Sequence, residues 1–225
     1  MPQPKLNGAR LWRRQVQKTS AILVRALELL EPRDANEQED DLNRKLYFCL
    51  LQANREATHW PLGAFDCAPV YEGRNLPSAN DFVRTAREGK RPDFQWTFID
   101  HQSPDPKRSV RTIVIECKRL GAPTRHGWPL NENYVRNGIM RFVREEHGYA
   151  CDDVEAVMVG YIQSMDFPQI AAEVNATTVQ EAIPSVPPPV QGWNLRGVSH
   201  LAHTMERTFG VTPFGLLHFW VDLRN

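Results

Sequence analysis

The sequence predicts an α/β fold, a mixed central sheet flanked by helices, and three stretches carry the prediction. Phe94, Trp96 and Phe98 alternate with Asp93, Gln95 and Thr97, the two-residue period of a half-buried strand. After a Pro- and Asp-rich turn from His101 to Ser109, the β-branched run from Val110 to Ile115 reads as the returning strand. A helical pattern and then an apolar run, Val154 to Ile162, come next; the continuity of that run suits a central strand with helices on a face.

Before the hairpin, Trp12, Val16, Leu23, Leu27 and Leu30 recur at near-helical spacing and predict a helix from Leu11 to Leu30, stopped by Pro32. Its basic residues Arg13, Arg14, Lys18 and Arg25 fall elsewhere on its surface. A second helix is expected from Glu37 to Ala57, with Leu42, Leu46, Cys49, Leu50 and Ala53 as its buried stripe. From Trp60 to Lys90 the pattern dissolves into Pro, Gly, Asn and Asp. This segment reads as loop with a short helix at Asn80 to Glu88, and Ala68 to Tyr71 is its one short strand candidate.

After the hairpin, Gly121 to Trp128 is turn-rich. Asn131 to Tyr149 is read as a helix that buries Tyr134, Val135, Ile139, Phe142 and Val143, with Gly138 allowing close packing on the sheet. Phe167 to Ala182 is expected to be helical, and Ile183 to Gln191, with Pro184, Pro187, Pro188 and Pro189, extended. Phe214 to Leu223 reads as a last strand. His200 and His203, three apart, would share a helix face and suit a metal, but no third ligand is apparent; satisfied or surface histidines are the plainer reading.

The 225 residues suit one domain, 1–225, with 1–35 as an N-terminal helical extension, 37–162 as the core and 163–225 as a Pro-rich connector with a C-terminal extension. Lys plus Arg and Asp plus Glu both number 27, which excludes a global positive field but leaves room for local basic patches. The four cysteines, Cys49, Cys67, Cys117 and Cys151, show no metal-ligand spacing and read as reduced thiols of a cytosol. No secretory pattern and no apolar run near the ~20 residues of a membrane span is present. A soluble cytoplasmic protein without a membrane partner is expected. No internal repeat, Gly-rich phosphate loop or Ser-His-Asp set is apparent.

Chemistry concentrates at the hairpin. Glu116 and Lys118, two apart on a strand, share a face, and antiparallel pairing brings Asp93 beside them. Ionised groups closing an apolar strand are costly unless paired or bound to a cation. Two neighbouring carboxylates repel, a divalent cation relieves the repulsion, and oxygen-only ligands favour Mg²⁺ or Mn²⁺. Such an ion can activate water and stabilise charge on a phosphoryl group, with Lys118 orienting that water or neutralising charge. The plain alternative is a salt bridge of Lys118 with either acid. Arg91, Arg119, Lys107 and Arg108, together with Arg84, Arg87, Lys90 and Arg111, outline a phosphate track near Asp93, the plainer reading of each one alone being solvated loop charge.

Pro92-Asp93 followed by Glu116-Cys117-Lys118, within the longer context Arg-Pro-Asp-Phe and Glu-Cys-Lys-Arg-Leu-Gly, resembles the PD-(D/E)XK motif of restriction-endonuclease-like nucleases. The resemblance spans Glu37 to Tyr161. The order Tyr-x-x-x-Gly-Ile-x-Arg-Phe, ending on Arg141-Phe142, is also similar to the helix after the lysine strand in some of these nucleases. The resemblance implies a restriction-endonuclease-like core of αβββαβ order. It implies Asp93 and Glu116 as metal ligands, Lys118 as the catalytic lysine, and the Cys117 carbonyl facing the metal. A helix before the hairpin often supplies a further acid in this family. Glu39-Asp40-Asp41-Leu42-Asn43 is similar to that helix start, which nominates Glu39, with Asp40 as rival and the helix dipole as a plain reason for both. Arg141 would reach a scissile phosphate, brace an acid or form a structural salt bridge. The implied activity is a Mg²⁺-dependent endonuclease, Mn²⁺ substituting, with DNA favoured, serving restriction or phage defence beside a recognition or motor protein or as a homodimer. The rival readings are a nuclease for RNA or single strands, and an inactive nuclease fold that binds nucleic acid or a partner.

Overall fold

The computed structural model describes residues 4–31, 34, 37–75, 87–105, 109–124, 127–195 and 197–224. The first helix, α1 (Pro4–Glu28), starts earlier than its periodicity suggests and buries Trp12, Val16, Ile22, Leu23, Ala26 and Leu27. The second, α2 (Glu39–Glu56), buries Leu42, Leu46, Leu50 and Ala53 against it, and Arg25 is tied to Glu56 at 2.7 Å across the pair. This ion pair occupies Arg25, one of the basic residues on the surface of α1. A 3₁₀ turn (Ala57–His59) ends α2.

The sheet follows. Strands β1 (Val70–Tyr71), β2 (Phe94–Ile99) and β3 (Val110–Leu120) run antiparallel in that order. The third helix, α3 (130–143), then crosses to β4 (Glu155–Ile162), which pairs parallel with β3. A fourth helix, α4 (Phe167–Gln180), leads to β5 (Val198–Met205) and β6 (Phe214–Asp222). Strand β6 pairs parallel with β4, and β5 lies antiparallel outside it, giving the order β1-β2-β3-β4-β6-β5. The protein is therefore an α/β protein with a mixed open six-stranded sheet and, among the described residues, four helices, two of them N-terminal.

Alternation along each strand divides the core in two. Val157, Val159 and Tyr161 of β4, with Trp96, Ile115 and Cys117, face α1 and α2. Ala156, Met158 and Ile162, with Leu216 and Trp220, face α3 and α4. The central strand β4 is buried from Ala156 to Ile162, as its apolar run requires. The 181–190 segment carries no helix or strand, and Asn175 of α4 pins it at both the N–H and the carbonyl of Val186. Among the described residues no helix is long and apolar enough to cross a membrane.

Several expectations are corrected. Strand β5 is not predicted by the pattern of its residues. It places His200 and His203 on a strand, where residues three apart face opposite sides: His200 is exposed and His203 buried, so they share no metal. The α3 helix stops at Val143, because Arg144 turns extended (φ −85°, ψ 129°) and the chain to Tyr149 runs as turns. Arg111 of the phosphate track is instead paired to buried Asp153 at 2.7 Å and lies over Trp12, which makes it a brace between strand and helix. Arg87 is also structural: it is buried and donates to the Glu145 carbonyl at 2.8 Å. Lys107, Arg108, Arg84 and most of the helix expected at Asn80 to Glu88 lie outside the described residues.

Candidate active site

The site is made by a difference in strand length. Pairing of β2 with β3 ends at Phe94 opposite Ile115, whereas β3 runs on to Leu120 beside β4. Past Ile115, the β3 edge facing β2 therefore offers backbone N–H groups with no strand to accept them, and other acceptors must take that place. Two carboxylates do so. Asp93 Oδ2 accepts from Cys117 N at 2.6 Å, and Glu39 Oε2, from the first turn of α2, accepts from Arg119 N at 3.2 Å. The backbone thus holds two acids side by side along one strand edge.

Between them stands the Lys118 ammonium. Its Nζ lies 2.7 Å from Glu39 Oε1, 2.9 Å from Glu116 Oε1, 4.0 Å from Asp93 Oδ2 and 2.7 Å from the carbonyl oxygen of Cys117. Arg141 of α3 brings a second cation to Glu116 Oε1, while Glu116 Oε2 is buried with no hydrogen-bond partner. The Glu116 side chain is 0% exposed, against 16% for Asp93, 27% for Glu39 and 28% for Arg141. The cluster is thus closed at Glu116 and open where Asp93, Glu39 and Arg141 meet solvent.

Burial and the Glu116 charge push the Asp93 carboxyl well above its ordinary range, against the pull of Lys118 and the Cys117 N–H. Burial also raises Glu116, opposed by Lys118 and Arg141. Burial works against a charged Lys118, but Glu116, Asp93 and Glu39 outweigh it and hold the ammonium above the usual lysine range. Tyr71, on β1 behind Asp93, is pushed up to about 12 by burial and by the nearby charges of Glu72, Asp40 and Asp93.

Helix α3 positions the cations. Its middle, Val135–Ile139, widens into a π-turn, a feature that often marks functional sites. Gly138 sits there against the sheet: a Cβ would fall 3.2 Å from Lys118 Cγ and 2.6 Å from Met158 Cε. One turn earlier the Tyr134 hydroxyl meets His218 Nδ1 at 2.7 Å and accepts from Trp220 Nε1 at 2.9 Å, which anchors the helix on β6.

The structure therefore brings together Asp93, Glu116, Lys118, the Cys117 carbonyl and Glu39. Asp40, the rival helix acid, is exposed and contacts none of them. Arg141 joins them as a brace on Glu116. Arg119 gives its backbone N–H to Glu39, with its own Nε buried and unpartnered, and Arg91 is exposed beside Asp93. Sequence reasoning missed the β3 edge, because a strand's unpaired flank depends on where its neighbour stops.

The donors are all oxygen, which in kind suits a hard cation, and the orphaned Glu116 Oε2 is a buried acceptor that such an ion would satisfy. With Lys118 as it lies, no three His, Cys, Asp or Glu side chains among the described residues form a ready-made metal site. No protein-family model, curated protein or solved structure matches this chain.

Proposed function

We propose that this protein is a metal-dependent phosphodiesterase of the restriction-endonuclease-like, PD-(D/E)XK type, acting on nucleic acid with DNA the favoured substrate. The observation that carries the reading is the meeting of Asp93, Glu116, Glu39 and Lys118 at one half-open point on the overhanging edge of β3. The element order from α2 through β4, αβββαβ, supports it. Asp93 and Glu116 would hold Mg²⁺ or Mn²⁺, with Glu39 and the Cys117 carbonyl completing the oxygen set. When bound, such an ion supplies Lewis-acid stabilisation of a phosphoryl oxygen and makes water more acidic.

The chain's own residues do the rest. Lys118 presents a fixed ammonium where negative charge develops on the phosphoryl group or where attacking water must be oriented. Arg141 holds Glu116 by one oxygen and leaves the other as a donor. Proton competition at Asp93 and Glu116, both raised, makes cation loading rise with pH above the ordinary carboxyl range near 3.8 to 4.5. A restriction or phage-defence effector, acting in the cytoplasm with a recognition or motor partner or as a homodimer, is the biological setting this reading implies.

The test incubates the protein with labelled duplex DNA, single-stranded DNA and RNA in Mg²⁺ or Mn²⁺, beside Asp93→Ala, Glu116→Ala and Lys118→Ala. Cleavage by the wild type and none by the three variants, each still folded, is the expected result. Undiminished metal-dependent cutting in all three variants removes the mechanism. One observation favours a second reading: Lys118 already pairs with Glu39 and with one oxygen of Glu116, as in a nuclease fold that only binds nucleic acid or a partner. Such a module would show no Mn²⁺ affinity that depends on Asp93.

A further inference from the structure

Beside the acids, contacts from segments distant in sequence close into a ring that carries cationic and neutral donor groups. Buried Asn75 is one joint. Its backbone N–H donates to the Lys90 carbonyl at 3.0 Å, and its side-chain amide donates to the His147 carbonyl at 2.8 Å. Buried Tyr149 is the other joint: the His147 ring stands edge-on 6.1 Å from it, and the Arg141 guanidinium lies 6.0 Å over it. Arg141 leads to Glu116, and Lys90 leads through Arg91 to Asp93, so the ring begins and ends on the two acids. Gly148, in the left-handed region at φ +61°, permits the turn, because a Cβ there would fall 2.6 Å from Cδ of buried Arg87.

The charge on this ring is only partly neutralised: Arg141 is paired with Glu116, whereas Lys90 is not. Lys90 is exposed and makes no ion pair among the described residues. His147 has a buried Nδ1 without a hydrogen-bond partner, its nearest acid being Glu146 Oε1 at 3.5 Å. Burial, then the Lys90 and Arg141 charges, hold His147 below its ordinary range, against the pull of Glu146. Of the neighbouring acids, Glu145 is engaged by Arg87.

We infer that Lys90 and His147, with Arg141, form the subsite for the phosphate next to the scissile one, so that one phosphodiester strand passes over Lys90 and the partly exposed His147 on its way to Asp93. The inference rests on the nuclease reading and assigns the strand's path, which Arg91 and Arg119 alone leave open. Lys90 supplies the charge, and His147 supplies a fixed polar edge that distinguishes a built subsite from a diffuse basic surface.

Fluorescence anisotropy of a labelled oligonucleotide in EDTA across a salt series tests it, with cleavage assayed in parallel. Lys90→Gln/His147→Gln is expected to bind at least about tenfold more weakly, and its salt slope to fall by about 0.9 for duplex or 0.7 for a single strand. Lys90→Arg should bind as the wild type does. Arg136→Gln, whose side chain is paired with Glu132 and Glu181 on α3 and after α4, should do likewise. Lys90→Gln alone, at an exposed position, keeps the test independent of folding. Unchanged affinity and slope in both Lys90→Gln variants, with the wild type cleaving, overturns the subsite and leaves the nuclease reading standing. A wild type that cleaves without measurable affinity also overturns the subsite, and one that neither binds nor cleaves overturns both.

Discussion

Replacing Lys118 by Met separates what the lysine does for the fold from what the acids do for a cation. The ammonium contacts Glu39 at 2.7 Å and Glu116 at 2.9 Å and stands 4.0 Å from Asp93, inside a cluster whose deepest member is fully buried. Removing one partner of a buried ion cluster costs about 3–5 kcal/mol, because the remaining charges are left unpaired. Part of that returns here: Arg141 still pairs Glu116, and Asp93 and Glu116, already raised, take up protons. A loss of about 2–4 kcal/mol at pH 7.5 is therefore expected, shrinking toward pH 5.5 as the acids neutralise. The same change vacates the centre of the oxygen set. Divalent cation should then stabilise the variant, by about 2.7 kcal/mol at a hundredfold excess over its dissociation constant. Urea denaturation at both pH values, with and without Mn²⁺ or Ca²⁺, reads both effects. A variant as stable as the wild type, or one whose stability ignores divalent cations, would refute the reasoning.

Three further outcomes are expected from the same geometry. Gly138→Ala gains about 1 kcal/mol of helix propensity but meets Met158 Cε and Lys118 Cγ, and overpacking costs about 1–3 kcal/mol. The net loss is about 0–2 kcal/mol, so its thermal midpoint should fall by no more than about 8 °C while cleavage falls about ten- to a hundredfold through the shifted lysine; cleavage at the wild-type rate would show that the π-turn does not position Lys118. Buried His203 and His218 are both held below their ordinary 6.5, so an unfolded chain takes up protons there that the folded chain refuses. Stability present above pH 6.5 should decline as pH falls below it, and His203→Gln/His218→Gln should flatten that decline in melts at pH 7.5 and 5.5. Asp93 and Glu116 slope the opposite way, so the difference between variant and wild type isolates the histidines. Arg141→Lys, which keeps the charge but not the planar guanidinium that reaches Glu116, should weaken Mn²⁺ binding without unfolding the protein; unaltered affinity would reduce Arg141 to a structural ion pair.

Much of this arrangement is legible in the chain itself. The alternation of Phe94, Trp96 and Phe98 fixes one strand, Val110 to Ile115 its partner, and the two-residue spacing of Glu116 and Lys118 their common face. The reading of Glu39 over Asp40 also agrees with the packing, since Leu42 of α2 is buried and Glu39, one turn before it, reaches the sheet edge. Other features have no local signature. Strand β5, Val-Ser-His-Leu-Ala-His-Thr-Met, alternates only weakly in hydrophobicity, because His203 counts as polar yet is buried beside His218. The early end of α3 follows from tertiary contacts. Arg207 directs its guanidinium at the carbonyls of Phe142, Tyr149, Ala150, Cys151, Asp153 and Val211, fixing the 144–153 turn from more than fifty residues away. Arg111 and Arg87 look in sequence like solvent cations, and only the fold shows Asp153 and Glu145 waiting for them.

The most direct measurement is a calorimetric titration of Mn²⁺ into the whole chain at pH 7.5 and 5.5, alongside Asp93→Ala and Glu116→Gln. Saturable binding by the wild type, weaker at the lower pH and absent from both variants, is the predicted result. Heats that are the same in all three proteins, or no binding by the wild type at either pH, would contradict it.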